Sequence, residues 1–220
     1  KDLPWRDDKG EATQDAARVT TVRFEQDKEK DTHVNLYPAS TEGWFEGFAK
    51  LKDIENIDEL HVDRATSMKN MFKGCEALET LDLSAFKTEN AEDMSGMFAG
   101  CAALKTIYVD PEQFKTTGVT KEGASSGMFD GCTSLVGGAG TVFDEGKTDK
   151  EYACVDEGSA ANPGYFTDTD KVAIIDPAEA AEVYAETAPM DANTAPEPVT
   201  ADPGPLPDTP ENEGNAAGGE

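Results

Sequence analysis

Positive charge is scarce in this sequence: 19 lysines and arginines stand against 45 aspartates and glutamates, for a formal net charge of −26. Nucleic-acid binding depends on Lys and Arg neutralising phosphates, so this balance argues against a nucleic-acid partner. An anionic membrane surface is disfavoured for the same reason. Long apolar runs are missing too. No stretch approaches the length of a membrane-spanning helix, which excludes direct insertion of a helix into a bilayer. Histidine is reduced to His33 and His61, and no Cys-x-x-Cys pair accompanies them, which removes the usual zinc ligand sets. Asp168-Thr169-Asp170 lacks the rest of a calcium-binding loop. There is no G-x-S-x-G elbow, no G-x-x-x-x-G-K phosphate loop and no H-E-x-x-H pair. No catalytic residue, cofactor or metal is therefore expected.

The charge is unevenly spread. Residues 176–220 hold 11 acidic side chains, eight prolines and no Lys or Arg. Such a composition cannot bury enough apolar surface to fold, and it reads as a disordered acidic tail or linker over 168–220. Asp176-Pro177-Ala178-Glu179 resembles a marginal helix start. Leu206-Pro207-Asp208-Thr209-Pro210 matches a wall-sorting motif only superficially, because Pro210 replaces the required glycine. Beginning at Lys1, the chain reads as a mature protein or an excised fragment, so the lack of a leader carries no information.

What the sequence does contain is a repeat. Met71-Phe72-Lys73-Gly74-Cys75 returns as Met97-Phe98-Ala99-Gly100-Cys101 and as Met128-Phe129-Asp130-Gly131-Cys132. A degenerate earlier copy reads Trp44-Phe45-Glu46-Gly47-Phe48, and of the three steps between copies the last is the longest. Each phrase leads into an apolar one: Leu51 and Ile54; Leu78, Leu81 and Leu83; Leu104, Ile107 and Val109; then Leu135 alone. L-x-x-L-x-L at a period of roughly 20–29 residues is the leucine-rich-repeat signal, a short strand whose leucines point into a stack. Met68-x-x-Met71-Phe72 and Met94-x-x-Met97-Phe98 have the i, i+3, i+4 spacing of one helical turn. Asp93 is placed to accept N–H groups at its start, and Gly74, Gly100 and Gly131 sit where a left-handed residue would end it.

The expected fold is thus an α/β solenoid: a short leucine-rich-repeat stack of about four coils, each a strand plus a short helix, with a period of about 26. The organisation is an N-terminal cap and first rung over 1–43, repeats with a C-terminal cap over 44–167, and the tail. Trp5 and the alternating Val19–Phe24 segment belong to the opening. The long last step places an insertion near 110–124 that bulges outward, and Val136-Gly137-Gly138-Ala139-Gly140 begins the closing cap.

Thr66-Ser67-Met68-Lys69-Asn70-Met71-Phe72-Lys73-Gly74-Cys75 and Asp93-Met94-Ser95-Gly96-Met97-Phe98 resemble the BspA-type leucine-rich repeat of bacterial surface proteins. The stretch from Gly131-Cys132-Thr133-Ser134-Leu135 to Asn162-Pro163-Gly164-Tyr165-Phe166 is similar to that family's closing segment, and Leu3-Pro4-Trp5 more loosely to its opening. The resemblance implies an extracellular, secreted or cell-wall location and adhesion to host or neighbouring-cell proteins. The insertion at 110–124 and Phe48 depart from the pattern.

Two sets of side chains remain to be placed. Cys75, Cys101 and Cys132 share one repeat position, where successive residues would lie about 5 Å apart. A position that also takes Phe48 is a packing position, so buried thiols are the first reading. One disulfide between neighbours and a metal site follow it in that order. Cys154 falls outside the register. If the strand leucines point inward, Glu79, Thr80 and Asp82 point outward, as do Lys105, Thr106 and Tyr108 in the next repeat and Lys52, Asp53 and Glu55 in the previous one. Glu55, Glu79, Thr80, Asp82, Lys105, Thr106 and Tyr108 form the candidate ligand-binding face, with Tyr108 as its anchor. The expected partner is an extracellular or host protein bound by a monomeric domain. The alternative is a structural spacer in a larger surface protein.

Overall fold

The computed structural model describes residues 15–24, 37–159 and 163–170. By its contacts the chain divides into two units, Lys1–Ile174 and Ile175–Glu220. Trp5, His33, the helix start at Asp176 and the Pro-rich tail lie outside the described residues.

Five strands of three or four residues carry the apolar phrases: β1 (Thr21–Arg23), β2 (Asp53–Glu55), β3 (Thr80–Asp82), β4 (Thr106–Val109) and β5 (Phe166–Asp168). All of their pairings are parallel. β1 pairs with β2, setting Val22 opposite Ile54; β3, β4 and β5 form a second sheet in that order, with Leu81 opposite Ile107 and Ile107 opposite Phe166. Alternation decides which side chains go in. Ile54, Leu81 and Ile107 are buried while Asp53, Thr80 and Asp82 beside them are exposed. Leu51, Leu78, Leu104 and Leu135, one per repeat, are all buried in a single apolar core.

The Met-Phe-x-Gly-Cys phrases contain no α-helix, contrary to the expectation of a short helix in each repeat; among the described residues only turns of 3-10 helix occur, at Ala16–Arg18, Ile57–Glu59 and Lys150–Tyr152. The reason lies in how alternate amides are used. The N–H groups of Met71, Lys73 and Cys75 donate back three residues, to Met68, Asn70 and Phe72, at 3.1 Å. Those between them reach across instead: Met68, Asn70, Phe72 and Gly74 donate to the carbonyls of Asp93, Ser95, Met97 and Ala99 at 2.7–2.9 Å. The next repeat does the same, with Met94, Gly96, Phe98 and Gly100 donating to Ala124, Ser126, Met128 and Asp130. A helix would keep these donors for itself; here every second one joins a repeat to its successor.

Such a ribbon of overlapping turns needs a positive φ at every fourth residue, which glycine supplies without a steric penalty. Gly47, Gly74, Gly100 and Gly131 have φ between +73° and +80°. The other such position is held by Gly43, Asn70, Gly96 and Gly127, with φ between +54° and +62°. The first three ribbons are each opened by a side-chain acceptor. Asp93 Oδ1 accepts the N–H and hydroxyl of Ser95, Ser67 Oγ accepts Lys69 N–H, and Ser40 Oγ accepts Glu42 N–H. The backbones of Ser40, Ser67 and Asp93 also bridge in parallel.

Inside the ribbon runs a column of rings. Phe45, Phe72, Phe98 and Phe129 stack with successive centroids 5.3, 5.8 and 5.5 Å apart. Each contact contributes about 0.5–1.5 kcal/mol beyond the area it buries. Edge-on rings close the column at both ends: Phe24 against Phe45, and Tyr165 and Phe166 against Phe129. Past the last repeat, Thr148 O accepts Phe129 N–H and Asp149 Oδ1 accepts Gly127 N–H, which supplies the acceptors a further repeat would have given.

The closing segment is pinned by Asp156, whose carboxylate accepts N–H groups from Ala139, Thr141 and Gly158. Burial pushes its pKa up, but these backbone donors outweigh burial and hold it below the ordinary range. Gly164 passes so close to Cys154 O that a Cβ there would sit 2.1 Å from it. The insertion at 110–124 differs from the outward bulge expected. Phe114 and Val119 are buried, Phe114 edge-on to Phe166 at 5.0 Å, while Glu112, Thr117 and the run 120–123 are exposed.

Candidate protein-binding face

The outward strand positions form two rows across the sheets. One contains Thr80 opposite Thr106; the other contains Asp82 opposite Tyr108, with Thr167 next to Tyr108. Thr80 and Asp82 are exposed, and Thr106 and Tyr108 are half-buried. Just before these strands, Lys105 Nζ lies 2.7 Å from Glu79 Oε2, with both side chains largely exposed. That hydrogen bond, and then the ammonium charge, lower the Glu79 pKa from its ordinary value. Asp82 turns one carboxylate oxygen back to Ser84 N–H at 2.9 Å. Six of the seven candidate residues therefore lie together on β3, β4 and the residues that lead into them.

Glu55 lies on the neighbouring strand, which approaches β3 closely enough for Lys52 to act on Glu79. It sits on β2 and pairs with Arg23 of β1, whose hydrogen bond lowers the Glu55 pKa. Among the described residues no strand pairing links β2 to β3, so the face consists of two sheets and not one continuous ladder. A cleft of 380 Å³ lies at this break, with Ile54, Asn56, Ile57 and Asp58 on one side and Asp82, Ser84 and Ala85 on the other. Asn56, in the left-handed conformation, leads into the turn Ile57–Glu59 and sends its side-chain amide to Phe24 O. Arg23, Asn56 and Thr167 were missed in the sequence. Arg23 lies far before Glu55 along the chain and Thr167 far after Tyr108, and no repeat phrase marks either.

The groups on this face are carboxylates, hydroxyls, a phenol and cations, of which Arg23 and Lys105 are paired to carboxylates. No group of three or more His, Cys, Asp or Glu side chains among the described residues could hold a metal ion. No helix among them is long and apolar enough to cross a membrane.

All four cysteines are thiols, and three serve packing. Cys75, Cys101 and Cys132 donate their S–H groups to the carbonyls of Phe45, Phe72 and Phe98 in the preceding repeat, with sulfur–oxygen distances of 3.3, 3.1 and 3.1 Å. The same carbonyls accept the N–H of Phe48, Cys75 and Cys101, so both lone pairs of each are used. Phe48 fills the position in the first repeat with a ring packed on Phe45. The hydrogen bond with Cys75, and then burial, push the Cys101 thiol well above its ordinary pKa; burial does the same to Cys132. Cys154 is half-buried in the closing segment, its thiol raised by burial and by the nearby Asp156 and Glu157 carboxylates.

A family model described as Mycoplasma protein of unknown function, DUF285, matches residues 39–150, a little over half of the chain and the whole of the repeat region. No curated protein and no solved structure matches it.

Proposed function

The chain belongs to the DUF285 family, and from that premise we propose that it is a bacterial surface module whose strand face binds a protein partner. On this reading the repeats form a short leucine-rich-repeat solenoid of the BspA type, with turn ribbons in place of helices. It is displayed outside the cell, attaches to host or neighbouring-cell proteins, and works without catalysis or cofactor. The observation that carries the reading is the placement of Glu79, Thr80, Asp82, Lys105, Thr106 and Tyr108 on one exposed surface of paired strands. Solenoids use such strand surfaces as extended binding faces. Tyr108 supplies the amphipathic ring favoured at binding hot spots, over a sheet whose inner side chains hold it rigid.

The experiment is binding of the chain to an array of extracellular-matrix proteins and to whole cells, beside the triple variant Glu79→Ala, Asp82→Ala, Tyr108→Ala. Saturable binding that falls at least tenfold in the variant is expected, since removal of a hot-spot tyrosine alone costs on the order of 2 kcal/mol. Binding that survives the triple variant unchanged would rule this face out. Absence of binding to every target would favour the spacer reading instead, in which the repeats hold other parts of a longer surface protein apart.

A further inference from the structure

The closing segment holds a second surface with a different character. Residues 136–143 form a tight hairpin in which Val136 bridges Val142, Gly137 N–H donates to Thr141 O, and Phe143 N–H donates to Leu135 O. Val142 is 67% exposed and Val136 is 39% exposed, the two most open large aliphatic side chains among the described residues. Beside Val142 opens a groove of 690 Å³ whose apolar wall is Val142, Phe143, Tyr152, Pro163 and Tyr165. The wall is preformed. Tyr152 and Tyr165 stack at 5.3 Å, Phe143 lies 6.2 Å from Tyr165, and the Asp156 carboxylate holds the hairpin through Ala139 and Thr141.

The charged groups at the groove leave one carboxylate without a cation. Asp144 and Glu145 line it, and Glu145 makes no ion pair among the described residues. The one basic lining residue, Lys147, is committed to Asp144 at 3.1 Å and lies over the Tyr152 ring at 5.7 Å. Asp144 N–H donates to the Tyr165 hydroxyl oxygen at 3.1 Å, which fixes the buried Tyr165 ring behind the groove. An apolar wall with a spare carboxylate complements an apolar segment that carries a cation. The charge of −26 on the whole chain steers such a segment inward and repels acidic ones.

We propose that this groove docks a short, extended peptide segment of a protein partner, with an apolar side chain against Val142, Phe143 and Tyr152 and an adjacent Lys or Arg against Glu145. The site is separate from the strand face and stands or falls apart from it.

The test uses the full chain, immobilised, and three sets of synthetic hexapeptides, each in all orders of its components: Lys with Val and Pro, Glu with Val and Pro, and Lys with Ser and Gly. Retention of members of the first set above the other two is expected. It should weaken about tenfold in Val142→Ser and again in Glu145→Lys, and persist in the triple strand-face variant. High salt should weaken it further, because the Glu145 contribution is screened. Both substituted side chains are exposed, so an unchanged thermal midpoint is expected and checks that each variant folds. Equal retention of the three sets, retention of none, or retention of the first set unaltered by Val142→Ser and Glu145→Lys would overturn the proposal.

Discussion

The ribbon side and the strand side of the same repeats are held together differently. On the ribbon side every repeat makes the same contacts with the next. Alternate amides cross over, phenylalanines stack in one column, and thiols bond back to the carbonyls of those phenylalanines. On the strand side the pairing stops between β2 and β3, and the surface contacts are exposed ion pairs such as Glu79 with Lys105. A stack needs only one continuous seam to stay in register. The other face is then free to vary in residue type and to open a cleft.

Substitutions on the two sides should rank accordingly. Phe72→Ala removes the ring that touches two neighbours in the column and should cost about 3–5 kcal/mol, read as a lowered urea midpoint. A cost below about 1 kcal/mol would mean that the column does not hold the repeats together. Gly100→Ala forces a Cβ onto a φ of +77° and should cost about 1–2 kcal/mol. Its nearest neighbours would be ordinary contacts at 3.5 Å, so the loss comes from backbone strain, and Gly100→Asn should recover part of it. Iodoacetamide should label Cys154 first and reach Cys75, Cys101 and Cys132 only as the chain unfolds, because the three column thiols are fully buried. Mass spectrometry of the labelled peptides checks the order.

The smallest effect belongs to the strand side. Lys105→Met removes the partner of Glu79, and the pair is too exposed for a large contribution. The sign of its pH dependence is fixed. The Glu79 pKa is lowered from 4.5 in the folded chain, so whatever the pair adds is present above that value and is lost as the pH falls through the folded pKa. Parent and variant should therefore melt together in acid and differ, if at all, only near neutral pH. A difference that persists in acid would point to a packing role for the Lys105 stem.

Much of this was legible from residue spacing. The Met-Phe-x-Gly-Cys phrase located the seam, the leucine alternation separated inward from outward strand positions, and Phe48 at a cysteine position marked the thiols as packing groups. The ribbon was misread as a helical turn because Met68, Met71 and Phe72 have the same i, i+3, i+4 spacing in either conformation. What separates the two is whether the intervening amides find carbonyls elsewhere, and that is settled only in the following repeat. Arg23 beside Glu55, the break between β2 and β3, and Asp156 at the centre of the closing segment are likewise long-range features. None of them recurs, so no periodicity announces them.

The most direct measurement sets the two sides against each other. Binding to the captured matrix protein or cell is compared for the parent chain, for Glu79→Ala, Asp82→Ala, Tyr108→Ala on the strand side, and for Lys69→Ala, Lys73→Ala on the outer edge of the ribbon. Loss of binding in the strand variant alone, with all three melting alike, is the expected result. Loss in the ribbon variant alone, with the strand variant binding as the parent does, would contradict it.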